Sequence, residues 1–148
     1  MWKNNAKLRG VCRIYDAKTG ELLRQVRNLI VNSGLSFLAA QLSGGNPTDM
    51  SYTAVGSGST APAAGNTALE AQIGARMSAT ITAPSSTSVR FASTSSAGSH
   101  TGNWYEAGIF NAATAGTMLC RVTFGLLTKG ANDVFTVEYT ISFSDDGV

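Results

Sequence analysis

The groups able to do chemistry in this chain are few: one histidine, two cysteines and nine acidic residues. His100 stands alone in a polar link, residues 96–102, and a lone loop histidine reads as surface polarity rather than as a base. Cys12 and Cys120 are far apart in sequence and lack C-x-x-C spacing, so they form neither a zinc knuckle nor a redox pair. Each reads as a small buried hydrophobe; a bridge between them would need Cα atoms within ~7 Å, which sequence leaves open. No serine sits in G-x-S-x-G.

Two patterns come closer to a site. Glu106 is flanked by Trp104, Tyr105, Ile109 and Phe110, apolar surroundings of the kind that suit a general acid. A glycosidase, however, needs a second placed carboxylate. The structural reading is therefore preferred: Glu106 accepts backbone N–H groups or pairs with an arginine such as Arg76 or Arg121. The second pattern, Gly56-Ser57-Gly58 after a strand, has neither the third glycine of a dinucleotide site nor a following Gly-Lys-Ser/Thr, and it reads as a flexible loop. No metal, cofactor or catalytic residue is expected.

The elements that must position these groups are mostly strands. Residues 104–129 read as a hairpin at the centre of a sheet, with Trp104, Glu106 and Gly108 on one face of its first arm. Met118, Cys120, Val122 and Phe124 share one face of the second. Residues 7–15 and 21–31 form another hairpin around Asp16–Gly20, a type I turn closed by a left-handed glycine. Phe135, Val137, Tyr139, Ile141 and Phe143 alternate with polar residues in the cleanest strand.

Strands are also expected over 50–55, 76–82 and 88–95, the last two separated by a link containing Pro84. One helix is expected over 32–45, capped by Asn32 or Ser33 and ended by Gly44-Gly45. Leu35, Leu38, Ala39 and Leu42 would form its packed face. T-A-L-E at 67–70 has capping-box spacing and predicts a helical turn to Ile73. The expected fold is mainly β: a β-sandwich or jelly-roll-like sheet of about seven or eight strands with one short helix packed across it. A chain of 148 residues fits one domain, comprising a basic N-terminal hairpin (1–31) and a β-rich body (32–148).

Only 14% of residues are charged, well below the usual quarter, with small hydroxyl residues in their place. Net charge is +2, too little to argue for nucleic acid, but it is unevenly placed. Residues 1–30 carry Lys3, Lys7, Arg9, Arg13, Lys18, Arg24 and Arg27 against Asp16 and Glu21, a net +5; the remainder is −3. Arg9, Arg13, Arg24 and Arg27 are therefore candidate docking residues for an acidic partner or another copy of the chain. No apolar run is long enough to span a membrane, and Met1–Gly10 has no signal-peptide pattern, so synthesis in the cytoplasm is expected.

Several segments, in order, resemble the tail-fibre and tail-collar family of tailed bacteriophages. They are N-S-G-L-S-F-L-A-A-Q-L (32–42), Y-T-A-V-G-S-G-S-T-A-P (52–62), N-T-A-L-E-A-Q-I-G-A-R (66–76), Y-E-A-G-I-F-N (105–111) and Lys129. The resemblance covers residues 28 to 129 and lies in the series rather than in any one motif. It places Arg76, Glu106, Gly108, Phe110 and Lys129 at signature positions with a structural duty. Gln72 and Ile73 depart from it where an acidic residue would precede the arginine, and Ile109 replaces a leucine.

The resemblance implies a non-enzymatic virion component, made in the host cytoplasm, in the tail or at the tail-fibre attachment. Its partners would be copies of itself and tail, baseplate or major capsid proteins. The alternatives are a capsid decoration protein and a module for a host-surface glycan, in which Trp104 and Tyr105 would stack on sugar.

Overall fold

A computed structural model describes residues 6–145; Lys3 and the tail residues Asp146–Val148 lie outside them. It holds one antiparallel sheet of nine strands and one helix among the described residues. The strands are β1 (Lys7–Asp16), β2 (Leu22–Ile30), β3 (Tyr52–Gly56), β4 (Met77–Ser78), β5 (Thr80–Ser85), β6 (Ser88–Ser95), β7 (Gly102–Phe110), β8 (Met118–Lys129) and β9 (Phe135–Ser144); the helix is α1 (Asn32–Leu42). Their order across the sheet is β4-β3-β7-β8-β2-β1-β9-β6-β5. The sheet folds over on itself until β3 and β4 approach β6, which gives a nearly closed sandwich. The expected class is therefore met, with a slightly higher strand count.

The middle strand is β2, not part of the β7–β8 hairpin as the sequence suggests. It pairs with β1 over most of its length and with β8 only at Leu29 opposite Arg121 and Ile30 opposite Cys120. The N-terminal hairpin is thus the join between the two layers rather than an appendage. Its turn forms as expected: Asp16 Oδ1 accepts the Lys18 N–H at 2.8 Å, and Gly20 takes φ +76°.

Between the layers lie Cys12 and Ile14 of β1, Val137, Tyr139 and Ile141 of β9 and Phe91 of β6, facing Val55, Trp104, Ala107, Ile109, Cys120 and Val122. Trp104 meets Phe135 edge to face at 5.5 Å. A second, smaller cluster of Val31, Ala54, Leu69, Phe110 and Met118 lies apart from this core. Two irregularities in the β7–β8 pairing separate the clusters. One falls between Trp104 and Glu106, the other between Ile109 and Phe110 opposite Leu119. The second leaves Leu119 as an extra residue on β8, while the first sets Tyr105 alone against three β8 residues, 124–126, and the facing of the side chains changes across each. Trp104 therefore points into the core while Glu106, Gly108 and Phe110 point out, correcting the strict alternation expected of this arm; Met118 likewise parts from Cys120.

Other local expectations change. Val31 occupies the N-cap position of α1 without a side-chain cap, and Ser33 instead donates to the Met118 carbonyl. Leu35 and Leu42 are exposed, while Phe37 and Leu38 pack on the core. The reason is Gly34, the one buried helical residue: a Cβ there would collide with the Leu119 carbonyl, so the helix rests on the sheet through its glycine. Residues 67–73 form no helical turn; Gln72 bridges to Gly56 instead. Residues 76–82 divide between β4 and β5, and Pro84 lies within β5, an edge strand, where a missing N–H is tolerated.

Cys12 and Cys120 are both buried and unbridged. Burial pushes the Cys12 thiol up to about 12 and raises that of Cys120 as well. Neither supplies thiolate at neutral pH. Native protein at pH 8 should leave both thiols unmodified by Ellman's reagent, and denaturation in guanidinium should release two; reaction of either in the native state would contradict their placement.

Candidate functional site: three buried charges that tie loops to the sheet

Glu106, Gly108 and Phe110 lie on the outer face of β7, with Arg76 stacked over Phe110; Lys129 lies apart, at the end of β8. Glu106 on β7 is fully buried, and Arg121 on β8 nearly so. Glu106 Oε2 accepts Arg121 Nε at 2.8 Å and the Glu70 N–H at 3.0 Å. Its Oε1 accepts the N–H groups of Ala71 at 2.7 Å and Gly58 at 3.1 Å. Four donors fill the acceptor positions of one carboxylate. The hydrogen-bonding partners proposed for Glu106 from sequence are both present, and the arginine is Arg121 rather than Arg76.

Such an arrangement closes the residue 57–73 segment over the sheet, and it explains Gly56-Ser57-Gly58. A Cβ on Gly56 would lie 2.5 Å from Glu106 Oε1 and one on Gly58 2.6 Å from the same atom. The glycines admit backbone to a carboxylate, not to a phosphate. The loop read as flexible is therefore pinned at both ends of its course. Arg121 continues outward to Asn66 Oδ1 at 3.1 Å and Glu70 Oε2 at 3.5 Å. Glu70 in turn holds the Thr60 N–H at 2.9 Å and the Thr60 hydroxyl at 2.9 Å. These Thr60 hydrogen bonds, with Arg121 contributing less, lower the Glu70 pKa from its ordinary 4.5.

Arg76 braces a different loop. Its guanidinium stacks 3.5 Å above the Phe110 ring and donates to the Ala112 carbonyl at 2.8 Å and the Ala115 carbonyl at 2.6 Å. That fastens the β7–β8 connection, which turns through Ala115 at φ +51° and Gly116 at φ +70°. Partial burial lowers the Arg76 pKa, yet the group stays charged. Gly108 leaves room for the 57–73 segment: a Cβ there would sit 2.9 Å from the Cys120 carbonyl and 3.1 Å from Leu69 Cδ2.

Lys129 ends β8 rather than lying in a turn, and it is fully buried. Its Nζ donates to the carbonyls of Ser96 at 2.9 Å and Ser99 at 2.8 Å, holding the β6–β7 link. Burial lowers its pKa, opposed by Asp133. His100 in that link is likewise committed: Nε2 donates to the Ala75 carbonyl at 2.7 Å, and Nδ1 lies 3.0 Å from Ser95 Oγ. Its own carbonyl accepts Trp104 Nε1 at 2.7 Å. The indole proposed to stack on sugar is thus sealed in the core.

The four candidate docking arginines separate into two groups. Arg9, Arg13 and Arg27 share the outer face of β1 and β2 and line a shallow groove with Val11, Thr140 and Ser142. Arg24 belongs to the opposite set, pairing with Ile14, and is used locally on the carbonyls of Leu23, Gly125 and Leu126. Among the described residues no three His, Cys, Asp or Glu side chains group to hold a metal, and no helix is long and apolar enough to cross a membrane.

What sequence reading underrated was Arg121, Glu70 and the two glycines as one unit. In sequence Arg121 reads as the polar position of an alternating strand, and nothing local shows that the other face is covered as well. No protein-family model, curated protein or solved structure matches the chain.

Replacing Arg121 by Met leaves the Glu106 carboxylate buried without its ion partner, and should cost about 3–5 kcal/mol in urea unfolding. Glu106→Gln turns an amide NH2 toward N–H donors and should also destabilise, with the double variant losing less than the two effects added. Glu138→Gln, at the 3.6 Å surface pair with Arg90, should change stability by under ~0.5 kcal/mol. Equal costs at the two pairs would refute the buried hub.

The folded-state pKa of Glu70 lies below its ordinary 4.5, so its stabilisation is complete above that pH and is lost as pH falls toward the folded value. Between pH 5 and 2.5 the urea midpoint of the wild type should fall more steeply than that of Glu70→Gln; parallel curves would show that the Thr60 contacts carry no stability.

Proposed function

We propose that the protein is a non-enzymatic structural component of a tailed-bacteriophage virion, built into the tail or the tail-fibre attachment. The observation that carries this reading is the shared use of the three charged signature residues. Glu106, Arg76 and Lys129 come from separate stretches of the ordered resemblance, and each ties one connecting loop to the sheet. Their hydrogen-bonding capacity goes into rigid shape. An assembly part needs that, because docking a preordered surface avoids the entropy of ordering loops on contact.

Its partners are copies of itself and neighbouring tail, baseplate or capsid proteins, with no cofactor required. It is made in the host cytoplasm and carried in the particle. A decoration protein on the phage head fits the same rigid, low-charge sandwich and differs in stoichiometry.

Quantitative mass spectrometry of purified particles, referenced to the major capsid protein, separates these outcomes. A few to a few tens of copies supports the tail assignment; hundreds in fixed ratio to the capsid protein transfers it to the head; absence from particles rejects both.

A further inference from the structure

We infer that the outer face of β1, β2 and β9 is a docking surface for a carboxylate-bearing protein partner. Val11 on β1 lies opposite Arg27 on β2, and Arg9 and Arg13 stand two residues to either side of Val11. Strand geometry then puts the three Cα positions in a triangle, with Arg27 about 8 Å from each of the others. Arg9 and Arg27 are exposed and have no carboxylate within ion-pair distance among the described residues; Arg13 holds only Gln25 Oε1 at 3.0 Å. Thr140 and Ser142 of β9 border the triangle opposite Val11 and Arg9 and add hydroxyl groups.

The composition of the patch selects the partner. Three guanidinium forks around a half-buried valine, with Leu29 exposed at the margin, match the arginine-rich, partly apolar make-up of protein interfaces. A phosphate backbone asks for a continued basic track; here Glu138 of β9 stands opposite Arg13, and Arg90 of β6, next in the row beyond Thr140, is paired with that glutamate at 3.6 Å. A second copy offers little in return: four of the chain's nine acids are engaged, and among the described residues no three acidic side chains gather in one cluster. Asp16 holds its turn, Asp133 holds Gly130, Glu70 holds Thr60 and Glu106 is buried. The complementary carboxylates therefore belong to a different protein. The assembly reading supplies the setting for this inference, which adds the surface and the chemistry of the neighbour.

Fluorescence anisotropy with a labelled twelve-residue glutamate peptide and a labelled twelve-nucleotide oligothymidylate tests the surface on the full chain. The peptide should bind more tightly than the oligonucleotide, weaken with added salt, and lose at least tenfold in affinity to the variant Arg9→Gln/Arg13→Gln/Arg27→Gln. Arg24→Gln should stay within twofold of wild type, and thermal melts verify that both variants are folded. Unchanged peptide binding by the triple variant, or tighter binding of the oligonucleotide, overturns the inference. Incorporation into phage separates the two readings. If wild type and folded triple variant enter particles equally, the docking surface falls and the assembly role stands. If the protein is absent from particles while the peptide result holds, the assembly role falls and the surface stands.

Discussion

The structure depends most on one carboxylate. Burying Glu106 would cost several kcal/mol if it were left bare, and the fold offsets that with four donors drawn from three places in the chain. Three are backbone N–H groups of a segment with no helix or strand of its own to satisfy them. The carboxylate and the loop thus solve each other's problem. The loop gains partners for its amides, the anion gains a polar shell, and Leu69 is carried down onto Phe110 and Met118 to close the second apolar cluster.

The same exchange recurs twice with the sign reversed. Arg76 and Lys129 are cations whose donors meet carbonyl oxygens of irregular segments, at Ala112 and Ala115 and at Ser96 and Ser99. Loop backbone is awkward to cover because its polar groups have no ladder to join. A long charged side chain at or beside a strand end reaches two such groups at once. In this way a chain with few charges uses several of them inside, which leaves much of its surface to serine, threonine and small residues.

Legibility followed the range of the interaction concerned. The alternation of β9, the Asp16–Gly20 turn and the Gly44 helix end rest on neighbours within a few residues, and they read correctly. Glu106 also gave itself away, since a carboxylate among aromatic residues must find donors wherever the chain supplies them. Its donors could not be named, because Gly58 and Ala71 stand 48 and 35 residues away. The glycines before them were read as a phosphate-like motif and rejected, without a hint that a side chain would occupy that space. Arg24 and Arg27 stand three residues apart in an unbroken register, so simple alternation already puts them on opposite faces, and Arg24 shares its face with buried Ile14.

By itself the sequence determined the class of fold: period-two patterns, turn residues and one uncharged helical stretch allow a β-sandwich with a short helix and little else. It also determined that Glu106 would need hydrogen-bond donors, since a carboxylate set among apolar side chains is not buried bare. The tertiary structure alone decided which way the strands face and which layer the N-terminal hairpin joins. An irregularity in a ladder changes the facing of the side chains beyond it, and its position is set by how the partner strand pairs. Only the folded chain could show that Trp104 turns inward and Glu106 outward, and that the charge beneath the loop is neutralised by Arg121.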